Sequence, residues 1–299
     1  MLPERIRRSL EARLGPVREA RAVGGGSISR AARVEGPDGP FFVKLNPNTP
    51  PGMFAAEAEG LEALTAAASG LVVPRVLAVD DGWIALEWLE PAPRAASTGE
   101  RLGHGLAALH RSTGAWGWLR DNFIGSLPQE NTPAATWAEF WWTRRLEPQL
   151  RRARALGRLP AHECDWERLR DALPHILAPA EDDGPSLLHG DLWSGNFMAT
   201  ERGPALVDPA VYRGHREADL AMTELFGGFG ADFYAAYEEA WPLRPGYREE
   251  RRAVYQLYYL LVHVNLFGGG YVQQTAEVLR QAVGRGSLKA PGPRRRTRS

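Results

Sequence analysis

The run His189-Gly190-Asp191-Leu192-Trp193-Ser194-Gly195-Asn196 places a carboxylate and an amide five positions apart in a glycine-containing stretch. Asp191 is suited to take the proton of an attacking hydroxyl, and Asn196 to hold a divalent cation through its amide oxygen. Twelve residues beyond Asn196, Leu206-Val207-Asp208-Pro209 ends a short apolar run in a second carboxylate, a natural second ligand for the same cation. A base followed by two oxygen ligands is the equipment of phosphoryl transfer, where positioning and charge neutralisation do most of the catalysis. The pair of motifs in this order is far more specific than either alone.

H-x-D-L-x-x-x-N is the catalytic-loop pattern of kinase-type phosphotransferases, in which Asp191 is the base. His189 then reads as a brace for the loop, since Asp191 already supplies the base. The pattern demands a triphosphate site upstream. Gly24-Gly25-Gly26-Ser27 can bring backbone N–H groups close to phosphates, and a lysine is expected on the third strand, where Lys44 stands. Among the 36 basic residues only Lys44 and Lys289 are lysine, so a compact ammonium is reserved for position 44, or was left there by a general arginine bias. Lys44 needs a carboxylate from the next helix. At about 100° per residue, Glu57 falls about 40° from Leu61, inside the apolar face of Phe54, Ala58, Leu61 and Leu64. Glu59 falls near the opposite side and reads as a solvated charge. A carboxylate on the buried face is costly unless paired, so Glu57 is the expected partner of Lys44. Glu87, Trp88 and Leu89 end the last strand of this half; their backbone would read an adenine edge or simply link two lobes.

These groups need a scaffold. The first 90 residues predict strands at 17–22, 30–35, 41–45, 72–79 and 83–89, with a turn at Gly36-Pro37-Asp38-Gly39 and a helix over 53–68. After Pro91 the pattern turns helical over 100–112, 135–156, 165–178, 216–226, 230–240 and 247–283, around one non-helical block at 186–211. The expected organisation is an α+β, two-lobed molecule. A β-rich nucleotide lobe spans 1–90, a helical lobe with the catalytic loop and substrate site spans 91–284, and a basic tail spans 285–299. The site would lie in the cleft between the lobes.

Composition narrows the field. Lys+Arg and Asp+Glu are both 36, so no basic excess points to nucleic acid. Cys164 is the one cysteine of 299 residues, which rules out an internal disulfide and suits a reducing compartment. The first 14 residues carry charges and no apolar core, with Ile6, Leu10 and Leu14 spaced for an amphipathic helix rather than a signal peptide. The apolar stretch 254–267 is broken by Gln256, His263 and Asn265 and predicts a buried helix, not a membrane span. Neither H-E-x-x-H nor G-x-S-x-G occurs. Trp137, Trp141 and Trp142 lie on helical patterns and are expected in the core. Trp193 is either a sugar-stacking wall or a packing residue.

Several strings together resemble the fructosamine kinase (ketosamine-3-kinase) family. They are Gly24 to Ile28, Phe42-Val43-Lys44, Met53-Phe54 with Glu57 and Leu61 to Leu64, Asn122-Phe123-Ile124-Gly125, and Arg145-Leu146 with Gln149-Leu150. The run 187–197, Asp208-Pro209-Ala210, Gly214 to Leu220 and the segment 258–271 complete them. The resemblance covers about residues 10–284 and departs from many members at Ser27, where they carry cysteine, and in the Arg/Pro tail. It implies a protein-kinase-like fold related to aminoglycoside and choline phosphotransferases. It also implies ATP-dependent phosphorylation of the 3-hydroxyl of ketosamines, the adducts of sugars with amines, and thereby deglycation. On this reading Asp191 is the base, Asn196 and Asp208 hold Mg²⁺, and Lys44, oriented by Glu57, binds ATP phosphates beneath Gly24, Gly25, Gly26 and Ser27. Asp219 braces the catalytic loop, and Trp193 and His215 meet the acceptor. A cytoplasmic enzyme is expected, monomeric, without nucleic-acid or membrane partners. The alternatives are an aminoglycoside- or choline-type kinase of the same fold, or a pseudokinase that only binds nucleotide.

Overall fold

The computed structural model describes residues 2–24 and 29–286. Gly25, Gly26, Ser27 and the tail beyond residue 286 lie outside the described residues. Helix α1 (Glu4–Leu14) precedes strands β1 (Glu19–Val23), β2 (Arg30–Gly36) and β3 (Gly39–Leu45). Helix α2 (Met53–Ala66), β4 (Val76–Asp80) and β5 (Trp83–Glu87) follow. The five strands form one antiparallel sheet in the order β1-β2-β3-β5-β4.

Strand alternation sorts the side chains of this sheet. Phe41, Val43 and Leu45 of β3 turn to one face and pack with Ile6 and Leu10 of α1. Phe42 and Lys44 therefore turn to the other face, where Phe54, Ala58 and Leu61 of α2 cover Ile84 and Leu86. That single alternation aims the one lysine of the described residues at α2 and the cleft. The β2–β3 turn closes on Gly36 opposite Gly39, whose φ of 115° lies in the region that favours glycine.

The strand expected over 72–79 starts only at Val76. Val72 instead donates to the Pro204 carbonyl at 2.9 Å and accepts from Leu206 N at 2.9 Å, crossing to the second half of the chain. Pro74 lacks the N–H that a longer ladder would need.

The second half is mainly helical: α3 (Thr98–His110), α4 (Trp137–Phe140), α5 (Glu147–Ala155), α6 (Glu163–Ile176), α7 (Ala178–Asp183), α8 (Glu217–Leu225), α9 (Ala231–Ala240), α10 (Arg252–Phe267) and α11 (Gly270–Gly286). Its core surrounds α10 and includes Trp137, Trp141, Leu257 and Tyr258. The long helix expected over 247–283 is broken at Gly268 and Gly269, with φ of 67° and 59°. The segment expected as one helix over 135–156 carries a π-helical turn at Trp141–Leu146, and a second such turn spans Tyr247–Arg251. Each turn sends one arginine, Arg145 or Arg251, fully into the interior.

Three small antiparallel pairs interrupt the helices. They are the hairpin β6 (Asn122–Ile124)–β7 (Leu127–Gln129), β8 (Ser186–Leu188) with β11 (Tyr212–Gly214), and the hairpin β9 (Phe197–Thr200)–β10 (Gly203–Leu206). The block 186–211, read as merely non-helical, is thus a set of short strands around the loop 189–196. Among the described residues, no helix is long and apolar enough to cross a membrane.

Candidate active site

A cleft of about 720 Å³ lies between the sheet and the helical half, with Lys44, Glu57, Trp88, Asp191, Trp193 and Asp208 among its walls. The volume is ordinary for a small-molecule site. The segment after β8 enters it as a loop pinned from below. Gly190 has φ of 84°, and a Cβ there would stand 2.0 Å from the Ala210 carbonyl, so only glycine fits between His189 and Asp191.

Asp219, fully buried in the first turn of α8, accepts from His189 N at 2.7 Å and Gly190 N at 2.9 Å, one amide to each oxygen. This is the bracing expected of it. His189 is also fully buried, and burial lowers its pKa, so its imidazole is neutral. Its Nδ1 accepts from Asp191 N at 3.3 Å, which leaves Nε2 to donate to the Val207 carbonyl at 2.9 Å. His189 therefore ties Asp191 to the segment carrying Asp208 and is the brace that the sequence suggested.

Asn196 ends a 3₁₀ turn (Ser194–Asn196) and spans the two acids. Its Nδ2 donates to the Asp191 carbonyl at 2.9 Å, to Asp191 Oδ2 at 3.2 Å and to the Asp208 carbonyl at 3.4 Å. All three of these bonds use the amide nitrogen. Asp208 has φ of 54°, a left-handed conformation uncommon outside glycine but tolerated by aspartate. Lys44 Nζ meets Glu57 Oε2 at 2.9 Å and Asp208 Oδ1 at 3.1 Å. Burial alone would lower the lysine's pKa; the Glu57 and Asp208 carboxylates outweigh it and hold the ammonium charged. The helical-wheel assignment of Glu57 is the observed pairing. Glu59 is half-buried and paired with Arg120 at 2.8 Å, so it is not the freely solvated charge expected. Its position faces the approach to β6, an element the sequence reading did not contain.

Asp191 is pushed up to about 7, first by burial and then by repulsion from Asp208, against the opposing hydrogen bond from Asn196. A carboxyl titrating near neutrality is matched to proton transfer at that pH.

Gly24, Glu87, Trp88 and Leu89 line the same cleft. Glu87 is anchored by Arg202 at 3.1 Å, and the Trp88 indole donates to Glu90 at 2.8 Å with Arg33 over its ring. Trp193 is 41% exposed on the cleft wall with its ring lying over Gly195, where an added Cβ would come within 2.2 Å of the indole. His215 is not in the cleft. It is fully buried, with Nδ1 at 2.7 Å from the Tyr255 hydroxyl and Nε2 at 3.2 Å from Asp183. The acceptor contact that the resemblance implied for it is therefore not made: β11 carries the chain back into the core before α8. The cleft also contains Phe123 and Gly125 of the β6–β7 hairpin, which the sequence reading quoted but gave no role.

A family model described as fructosamine kinase matches residues 4–285. The chain is 41% identical over 275 residues to a candidate ketoamine kinase of Synechocystis, covering 89% of this chain and 91% of that one. It is 37% identical over 268 residues to the chloroplastic protein-ribulosamine 3-kinase of Arabidopsis thaliana, covering 86% and 80%. The crystal structure of a candidate fructosamine-3-kinase of Thermobifida fusca superposes with a TM-score of 0.82 at 38% identity, covering 93% and 98%. An aminoglycoside phosphotransferase bound to ADP and hygromycin B superposes with a TM-score of 0.59 at 14% identity over 94% and 96%, a likeness of fold alone.

Proposed function

The chain belongs to the fructosamine kinase family, and from that premise we propose that it transfers the γ-phosphoryl group of ATP to the 3-hydroxyl of a ketosamine, a fructosamine or ribulosamine adduct of an amine or lysine. The observation that carries the reading is the convergence of five side chains in one cleft. Lys44 lies between Glu57 and Asp208, and Asn196 reaches from Asp191 to Asp208.

The residues divide the work as follows. The backbone around Gly24 and the hinge residues Glu87, Trp88 and Leu89 border the nucleotide. Lys44 is a point charge for the phosphates, and Glu57 fixes where its ammonium sits. Asp191 accepts the proton of the sugar hydroxyl as the oxygen attacks phosphorus. Asn196 keeps the Asp191 carboxylate oriented, while Asp219 and His189 hold its backbone. Asn196 and Asp208 fit a magnesium site: one amide oxygen and one carboxylate are a sufficient protein share when phosphates and water complete the shell. Mg²⁺ held there would neutralise charge building on the transferred group. Trp193 offers an exposed ring beside the base for the sugar. Loss of the amine from the 3-phosphate would make the overall outcome deglycation. All groups named come from one chain, which suits a monomer, and dependence on ATP suits the cytoplasm.

The test is a panel of acceptors, fructosyl-, ribulosyl- and erythrulosyl-lysine against kanamycin and choline, with ADP release and product mass as readouts. Phosphate transfer to a ketosamine and to neither control is expected. Transfer only to kanamycin or choline, or to nothing, overturns the assignment.

A further inference from the structure

The β6–β7 hairpin is held far more firmly than a short surface hairpin requires. Asn122, Gln129 and Asn131 are buried at its base. Asn122 Nδ2 donates to the Val211 carbonyl at 2.7 Å, and Asn122 Oδ1 accepts from Gln129 at 2.8 Å and Asn131 at 2.8 Å. Gln129 also donates to the Ala210 carbonyl at 3.1 Å and accepts from the Tyr258 hydroxyl at 2.7 Å. Behind them stands the fully buried Arg145, delivered by the π-helical turn. It donates to Asn131 Oδ1 at 2.7 Å and the Glu130 carbonyl at 2.5 Å, and its guanidinium lies 3.9 Å from the Tyr212 ring centre. Among the described residues no carboxylate pairs with Arg145.

Such a network is costly to assemble, and its partners show what it fixes. Ala210 and Val211 directly follow Asp208-Pro209, so the hairpin is bolted to the segment between β10 and β11 that carries Asp208. Arg120, just before β6, pairs with Glu59 of α2, the helix that carries Glu57, so the other lobe holds the hairpin too. A site whose side chains must be placed to a fraction of an ångström needs this kind of support. The side chain that the hairpin delivers to the cleft is Phe123, half-buried, beside Asn122 and Gly125.

Among the described residues, the aromatic side chains lining the cleft are Phe42, Trp88, Phe123 and Trp193. Phe42 and Trp88 belong to β3 and to the segment after β5, on the sheet that carries Lys44. Trp193 stands two residues past Asp191, and Phe123 sits on the hairpin anchored to Ala210 and Val211, two and three residues past Asp208.

Resting on the ketosamine-kinase reading, we infer that Phe123 is the second aromatic wall of the acceptor subsite, opposed to Trp193, and sets specificity for the ketosamine. An aromatic face suits both the apolar C–H face of a sugar and the ammonium of its amine. Arg145, Asn131 and Gln129, none of them in the cleft lining, are positioning residues that act through the hairpin.

Steady-state kinetics with ribulosyl-lysine and ATP test this. Phe123→Ala and Phe123→Leu are expected to raise the KM for ribulosyl-lysine roughly tenfold or more, the usual scale for one lost apolar contact. The KM for ATP is expected to stay within about twofold, a change of only ~0.4 kcal/mol. Phe123→Tyr keeps the ring and is expected to restore the acceptor KM. Leucine preserves apolar volume, so a loss shared by both variants with an unchanged ATP KM is not a folding defect. An unchanged acceptor KM in both variants, an equal rise in both KM values, or no rescue by tyrosine overturns the inference while leaving the activity intact. If the wild-type protein transfers phosphate to no ketosamine, the functional reading fails first and this inference with it.

Discussion

Asp191 is a half-buried carboxyl beside a second carboxyl, with one amide to orient it. Its folded pKa of about 7 lies far above that of an unfolded aspartate. The folded state therefore binds this proton more tightly than the unfolded chain, so its contribution to stability is full at low pH and is lost as pH rises through about 7. Asp191→Asn is accordingly expected to melt at a higher temperature than wild type at pH 8, with the difference shrinking towards pH 5; calorimetry at both values checks it, and a pH-independent difference would contradict the assigned cause. In kinetics, the acid limb of kcat/KM for ATP reports the free enzyme and is expected near pH 7. The limb of kcat should lie lower, because a bound cation offsets the Asp208 charge. Lys44 meets two carboxylates with one compact ammonium. Lys44→Arg keeps the charge but replaces the point with a longer planar fork, and turnover is expected to fall more than tenfold. Activity within about twofold of wild type, worth ~0.4 kcal/mol, would make this lysine an accident of composition.

At the scale of elements, the catalytic loop depends on a glycine and on the start of α8. Gly190→Ala would drive a Cβ against the Ala210 carbonyl in a left-handed backbone, and both stability and turnover are expected to drop. Two residues before Asp219, Glu217 makes a paired contact with Arg251 at 2.6 and 2.8 Å, with both side chains buried. Arg251→Met would strand that carboxylate and is expected to cost about 3–5 kcal/mol of stability in chemical denaturation. These supports show where sequence reading succeeds and stops. Lys44 was legible because its place on the third strand and the composition both marked it, and Glu57 because a helix has a fixed angular period. Asp191, Asn196 and Asp208 were legible because their spacing is local. The β6–β7 hairpin was not, since three-residue strands carry no periodic signal and their anchors lie far away in sequence. The π-helical turns escaped for the same reason: a π turn leaves the hydrophobic pattern of an ordinary helix almost unchanged. His215 was misplaced because a matching string does not say which way a side chain turns, and this one turns into the core against Tyr255 and Asp183.

For the molecule as a whole, an antiparallel sheet with a helix on each face meets a helical body across a cleft, and every group that the proposed chemistry uses faces that cleft or props up one that does. Cys164 lies outside it, exposed in the first turn of α6, and the glycine-rich segment carries Ser27 in place of a thiol. Activity is therefore expected to be insensitive to peroxide or reductant. Any oxidised dimer would link through Cys164 without loss of turnover and be absent in Cys164→Ser. A large reversible loss in wild type alone would place Cys164 functionally near the site. The central claim is transfer of phosphate to a ketosamine with Asp191 as base, and its most direct test is one measurement. Wild type and Asp191→Asn are incubated with ATP, Mg²⁺ and ribulosyl-lysine, and the phosphorylated carbon is located by NMR. The account predicts phosphate on the 3-oxygen, formed roughly 10² to 10⁴ times more slowly by the variant while nucleotide binding persists. Phosphate at another position, or a variant as fast as wild type, would contradict it.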